Sequence, residues 1–351
     1  MSQSLPLAVA AAGHALTQRI SGSLITLFLP SFLSLQTMRS SILLALACAG
    51  ASSLAASPVK KIIVLMQENR AFDHFLGHLK QVNPQIDGLT PASGNPTNPL
   101  DPTSPWVPVN YNAVDGGPTD PCHSFDCVTQ QIYGFQKPMT NNSFTPKMDG
   151  FVANTPGGAK NVPFVMSAFN SVDLPILSTL ATEFAVFDHW HCAVPSCTNP
   201  NREYMMSGTS WGHVDNTFPP AGFPQESHFH FLQRNNVTWK IYWSDDPWMA
   251  PAFADLRTAD ALTKVQQIQN FFWDLGNGTL PSFSLIQPRM ATTSKYGVSN
   301  WQHPDGSVSE GERLVQEALS YALSPPPPSS IPSLSLFLSF PHPRPPPPPF
   351  I

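Results

Sequence analysis

Two short stretches of the sequence gather side chains that can do chemistry. Glu68-Asn69 comes one residue, Gln67, after the apolar run Ile62-Ile63-Val64-Leu65-Met66. A carboxylate beside an amide carbonyl offers hard oxygen ligands for a divalent cation. The same pair in a polar loop would serve to cap a helix. Thr198-Asn199-Pro200-Asn201-Arg202 is the second stretch. Pro200 suits the first turn of a helix, which puts Thr198 or Asn199 at its N-cap. A hydroxyl there faces free backbone N–H groups, a setting for phosphate or for a nucleophilic alkoxide, and equally for an ordinary cap. Arg202 could bind phosphate oxygens bidentately. Histidines gather near these stretches at His74, His123, His189, His191, His213 and His303, and Asp245-Asp246 and His303-Pro304-Asp305 are further polar pairs. Any one of these histidines could equally be a buried structural residue.

The elements that must position these groups read as an α/β domain. Lys60–Met66 is a β-branched apolar run, the pattern of a buried, parallel, central strand. Residues 71–77 read as a short helix stopped by Gly77, and residues 83–121, rich in Pro, Asn, Gly, Thr and Asp, as a long surface loop. Further strands are expected at Ala185–Trp190, Trp239–Trp243 and Ser282–Gln287. Helices are expected at Leu174–Phe184, Glu203–Ser207, Thr258–Leu275 and Val308–Leu323. Strands alternating with helices argue for a largely parallel sheet with flanking helices. Ligands in such sheets bind beyond the carboxyl ends of the strands, where Glu68 and Asn69 fall.

Taken together, these stretches resemble the bacterial-type phosphoesterase family, secreted phospholipases C and acid phosphatases of the alkaline-phosphatase superfamily. Ile63 to Gly77 (IVLMQENRAFDHFLG) matches the family's opening block. Ser196 to Arg202 with Ser207-Gly208-Thr209-Ser210 matches a second, Asp120 to Phe125 a third, and Asn300 to Asp305 with Glu310-Gly311-Glu312 a fourth. The resemblance implies an alkaline-phosphatase-like fold, with Glu68 and Asn69 as ligands of a divalent metal cation of undetermined identity. It further implies Thr198 as nucleophile, and His123 and His303 as groups that bind phosphate or protonate the leaving alcohol. Arg202 and Asn201 fall in the phosphate-binding stretch, while Arg70, Asp73 and His74 support the first motif. The implied reaction is phosphodiester cleavage of a phosphatidylcholine-type lipid through a phospho-threonine. The alternatives are an acid phosphatase acting on phosphomonoesters and a catalytically inactive secreted protein. The substrate would bring a membrane surface with it.

Relatives carry a later block, an acidic pair followed by His-Gly-Gly, that is absent here. Residues 57–324 are therefore read as a phosphoesterase domain truncated at its C-terminus, with activity diminished accordingly. Residues 325–351 hold 12 prolines in a low-complexity tail read as non-native. A docking polyproline tail is the competing reading. Met38-Arg39 opens a complete secretory signal, residues 38–56, with cleavage near Ala55 or Ala56. Residues 1–37 are accordingly read as a non-native N-terminal extension, with a membrane anchor over residues 22–56 as the alternative.

The chain of 351 residues has 18 Lys+Arg and 23 Asp+Glu, a formal net charge of -5, so no basic excess supports nucleic-acid binding. Hydrophobic residues at 42% suffice for a core. Export agrees with four cysteines outside the signal, Cys122, Cys127, Cys192 and Cys197, which allow three disulfide connectivities or, less in keeping with their spacing, a zinc site. It agrees also with sequons at Asn141, Asn236 and Asn277. A secreted, extracellular location is expected.

Overall fold

A computed structural model describes residues 59–134, 146–292 and 295–323, and the backbone of residues 334–339. In chain order the elements are β1 (Lys61–Met66), α1 (Phe72–Leu76), β2 (Gly94–Pro96), β3 (Trp106–Pro108), α2 (Phe125–Tyr133), α3 (Val162–Val165), α4 (Pro175–Glu183), α5 (Thr198–Ser207) and α6 (His228–Arg234). There follow β4 (Trp239–Trp243), α7 (Ala259–Thr263), β5 (Val265–Gln267), α8 (Ile268–Gly276), β6 (Phe283–Gln287), α9 (Val308–Leu323) and β7 (Leu334–Ser339).

Five strands form one parallel sheet in the order β5-β4-β6-β1-β7. The two-residue period of the strands splits their side chains between two cores. Ile63 and Leu65 of β1, Tyr242 of β4 and Ile286 of β6 enter one core, with Phe72 and Phe75 of α1, Leu177 of α4, Phe271 of α8 and Val315 of α9. Met66, Trp239, Ile241 and Leu285 enter the other, with Phe229 of α6, Phe223, Met249 and Phe253. Both faces are therefore covered, which is why these strands read as continuous apolar runs. The result is a mixed α/β fold with a central parallel sheet flanked by helices, consistent with an alkaline-phosphatase-like architecture. Among the described residues no helix is long and apolar enough to cross a membrane.

Several expectations need correction. Ala185–Trp190 forms no sheet strand. Phe187 and Trp190 are exposed and pack edge-to-face on each other, and Asp188 is spent on the Asp87 amide and His189. Val186 packs partly buried on the first core, but the run pairs with no strand of the sheet. The single helix expected over Thr258–Leu275 is broken by β5, which pairs Val265–Gln267 with Ile241–Trp243. There a tertiary partner overrides local helix propensity. The long loop contains the antiparallel β2–β3 pair. Helix α5 starts at Thr198 rather than Glu203, and its N-cap is Cys197, so Thr198 and Asn199 lie inside the first turn. In the proline-rich tail, the proline-free interval Leu334–Ser339 pairs along the whole of β1, an element the sequence reading did not assign. The signal, the N-terminal extension and Asn141 lie outside the described residues.

Candidate active site

The chain leaves the carboxyl end of β1 and reverses within four residues. Asn69 has φ 57, the left-handed conformation that Asn tolerates better than most side chains. The Glu68 amide donates to Trp301 O at 2.7 Å, tying this turn to the segment after β6. Gln67 strengthens the tie through Gly311 O at 3.1 Å. A Cβ at Gly311 would collide with the Gln302 side chain, so glycine is needed for this approach.

The turn sends its two side chains in different directions. Glu68 goes under α5. Its Oε1 accepts from Arg202 Nε at 2.7 Å and meets Nη2 at 2.5 Å, with both side chains wholly buried. The Arg202 guanidinium lies 4.9 Å from the centre of the Trp248 ring, a cation–π contact. Thr198 Oγ1 donates to Glu68 Oε2 at 3.3 Å. Nucleophile candidate and carboxylate thus meet across 130 positions of sequence. Arg202 is committed to Glu68 in this structure. Asn201 is committed to backbone: its amide accepts from Val194 N and donates to Val194 O and Cys197 O at 3.1, 3.0 and 3.1 Å. It shapes the loop before α5 instead of offering atoms to a phosphate.

Asn69 goes the other way, into a cluster formed by two loops. Its Nδ2 lies 3.2 Å from Asp120 Oδ1, 3.4 Å from His123 Nδ1 and 3.0 Å from His303 Nε2. Asp120, His123 and His303 each present one metal-ligating atom, all within 4.8 Å of one another. The His303 ring stacks on Trp301 at 4.4 Å, and its Nδ1 meets Asp305 Oδ1 at 2.7 Å. Burial holds the Asp120 carboxyl above its usual range against the opposing pull of the two histidines.

Arg70 holds the loops in place. It donates through Nε to Gln302 O at 2.7 Å, and through Nη2 to His303 O at 3.2 Å and Pro304 O at 3.3 Å. Burial pushes Arg70 down to about 9 while Asp115, Asp120 and Asp305 pull it back, so it remains a cation at neutral pH. His74 accepts from Arg70 Nη1 at 2.7 Å and donates through Nδ1 to Ser167 O at 2.6 Å. Burial and Arg70 push it down to about 3, so the ring is neutral. Both residues support the motif, as expected. Asp115 accepts from Val308 N and Ser309 N at the start of α9, clipping the long loop to the His303 segment.

The other sequence candidates lie elsewhere. His189 faces Asp87 and Asp188, His213 faces Glu203, and Asp245 accepts from Met290 N and Ala291 N. Cys122 and Cys127 form a disulfide beside His123, whereas Cys192 and Cys197 are thiols. Burial pushes Cys192 up to about 11 and raises Cys197, so neither is a reactive thiolate. Asn236 and Asn277 are exposed. The sequence reading gave no role to Asp120 or Asp115. Asp120 stands in the third motif three residues before His123, and that adjacency was the available signal. Asp115 has none, because its partners are 193 and 194 positions away.

The donor sets differ in how well they suit a metal. At Glu68 the carboxylate is already neutralised by a buried guanidinium, which repels a dication. The Asp120, His123 and His303 set has two imidazoles and one carboxylate, a set that metals favour.

Similarity to known proteins agrees with this geometry. The sequence matches the phosphoesterase family over residues 59–330. It is 38% identical over 276 residues to non-specific phospholipase C1 of Arabidopsis thaliana, covering 77% of this chain and 50% of that protein. Non-specific phospholipase C3 of the same plant is 36% identical over 271 residues, 75% of this chain and 51% of the relative. Phospholipase C A of Mycobacterium tuberculosis is 30% identical over 207 residues, 52% of this chain and 37% of the relative. The chain spans about half the length of the plant relatives it matches. With the four motifs meeting at one end of a parallel sheet, the chain belongs to the phosphoesterase family.

Proposed function

We propose that the protein is a secreted phosphoesterase that cleaves the phosphodiester of phosphatidylcholine-type lipids, with Thr198 as nucleophile. The contact between Thr198 Oγ1 and the Glu68 carboxylate supports this reading most directly. Thr198 opens helix α5, where free N–H groups and the helix dipole favour a phosphate. Glu68, fixed by Arg202, orients the hydroxyl and can take its proton. Thr198 Oγ bonds to phosphorus as the bond to the glycerol oxygen breaks. Water gives a proton to the departing diacylglycerol and a hydroxyl to phosphorus, releasing phosphocholine, and Thr198 recovers its proton from Glu68. A divalent metal bound beside this turn would stabilise charge on the phosphate oxygens as a Lewis acid. The chain's similarity to plant and mycobacterial phospholipases C supports the lipid substrate. The signal-like residues 38–56, the Cys122–Cys127 disulfide and the exposed Asn236 and Asn277 sequons support secretion.

The test is diacylglycerol release from phosphatidylcholine vesicles, set beside hydrolysis of a phosphomonoester. Release that falls at least about 1,000-fold in Thr198→Ala is expected. Hydrolysis confined to the monoester would refute the lipid reading, and an undiminished Thr198→Ala variant would refute the nucleophile.

A further inference from the structure

We propose that the loop after α5 is a docking surface for a zwitterionic phospholipid membrane, with Trp211, Val214 and Phe218 as its apolar contacts. All three side chains are exposed, Trp211 at 63%. Large apolar side chains concentrated in one exposed loop mark an interaction surface more than single scattered ones do.

The backbone around Trp211 holds that ring outward at a cost. Trp211 has φ 52 and the next residue, Gly212, has φ 83. Glycine adopts this left-handed region freely, whereas a bulky side chain is strained there. Hydrogen bonds keep the strained turn in place. Trp211 N donates to Thr209 Oγ1 at 3.1 Å and His213 N donates to Ser210 O at 2.9 Å. Thr209 O accepts from Ser207 Oγ at 2.9 Å and from Gln225 Nε2 at 3.4 Å. The fold therefore bears backbone strain to display a ring that adds little to the core. Strain of this kind points to a role outside folding.

The loop is also fastened to the helix that carries Thr198. Ser196 Oγ donates to Val214 O. Asn199 N donates to Asn216 Oδ1 and Asn199 Nδ2 to Asn216 O, each at 2.9 Å. Ser196 and Asn199 flank Thr198 in the sequence. Phe218 reaches inward, its ring 6.5 Å from that of Trp248, which lies against the Arg202 guanidinium. A bilayer seated on this loop thus lies beside the start of α5.

Charge selects the kind of bilayer. Between Arg202 and Arg234 the sequence has no Lys or Arg, but it has Glu203, Asp215 and Glu226. Arg202 itself is buried against Glu68. Within the loop, Asp215 accepts from Thr217 N at 2.9 Å and Thr217 Oγ1 at 2.6 Å, and His213 faces Glu203 at 3.3 Å. The segment offers no side-chain cation like those that draw proteins to anionic lipid. An indole ring, apolar with one polar N–H, suits the headgroup level of a neutral bilayer.

This assignment deepens the phospholipid reading and rests on it, since it names the surface through which that substrate is reached. The full chain is mixed with phosphatidylcholine vesicles, and binding is read by flotation. Trp211→Ala should weaken binding at least about tenfold. Trp273 is the control. It is 70% exposed on α8, which packs on the first core, whereas α5 places Met206 in the second. Trp273→Ala should leave binding within about twofold, and added salt should not weaken it. Trp211→Phe should bind within about threefold yet lose quenching by brominated phosphatidylcholine, which keeps the test decisive if Trp211→Ala does not fold. Vesicle binding without hydrolysis would refute the activity and leave the docking surface standing. Hydrolysis of vesicles by a chain whose binding ignores Trp211→Ala would refute the docking surface alone. Absence of vesicle binding, binding that requires anionic lipid, equal loss in Trp273→Ala, or a dimer that depends on Trp211 in place of vesicle binding would each overturn the assignment.

Discussion

Glu68 and Asn69 are neighbours in sequence, yet their side chains enter opposite kinds of surroundings. Glu68 lies in a sealed compartment with Arg202, at 1% exposure for each residue, and the ring of Trp248 covers the guanidinium. Asn69 faces loops whose Asp120 and His123 remain part-exposed at 35% and 17% for their side chains. A sealed ion pair keeps one geometry, since separating its charges in a low-dielectric interior is costly. An open cluster of imidazoles can exchange partners with solvent, substrate or metal. The comparison teaches that the same turn serves two settings: one side seals an ion pair that touches Thr198, the other presents a part-exposed cluster of carboxylate and imidazoles.

The largest expected effect would come from breaking the sealed side. Arg202→Leu leaves the Glu68 carboxylate buried without its cation and should lower unfolding stability by about 3–5 kcal/mol. Urea unfolding would measure it, and adding Glu68→Gln should restore part of the loss. Asp120→Asn on the open side should stay within about 1 kcal/mol. Equal losses would erase the distinction.

A second buried carboxylate, Glu312, is held by backbone amides instead of a guanidinium. Glu312 accepts from Ile176 N at 2.7 Å and Leu177 N at 3.1 Å, at the start of α4. Burial still pushes it up to about 7, outweighing these bonds. The folded state therefore holds a proton that the unfolded chain releases nearer its ordinary value. The resulting stabilisation is complete below the ordinary glutamate range and is lost as pH rises toward about 7. Its full extent is about 3 kcal/mol. Thermal melts across that window should show stability falling with pH, and Glu312→Gln should flatten the profile.

A smaller effect is expected where the open side is anchored. Asp115→Ala removes the cap that the long loop gives α9 and should cost about 1–2 kcal/mol. Hydrogen exchange at Val308 and Ser309 should quicken, whereas the Arg202 side should be unmoved. Quickening on both sides would mean that the two regions are one unit.

Much of this is legible in the sequence. The β-branched run of β1 placed Glu68 and Asn69 at the carboxyl end of a parallel sheet, and the family resemblance added Thr198, His123 and His303 to the same site. What was not legible depended on partners distant in the chain. Arg202 reads as a phosphate ligand until Glu68 is seen 134 positions away. Residues Val265–Gln267 look helical until β4 lies beside them. Residues Ala185–Trp190 look like a strand because local pattern cannot show that no strand stands next to them. Among the cysteines, spacing allowed several pairings, and only the fold brings Cys122 to Cys127 while leaving Cys192 and Cys197 as thiols.

The central claim, that Thr198 is the group covalently changed during turnover, can be tested by rapid mixing of the protein with phosphatidylcholine vesicles. The mixture is quenched in acid and the peptide that contains Thr198 is read by mass spectrometry. The account predicts a phosphocholine ester on Thr198 that appears as diacylglycerol is released and is missing in Thr198→Ala. Diacylglycerol release with Thr198 unmodified, and unchanged in Thr198→Ala, would contradict it.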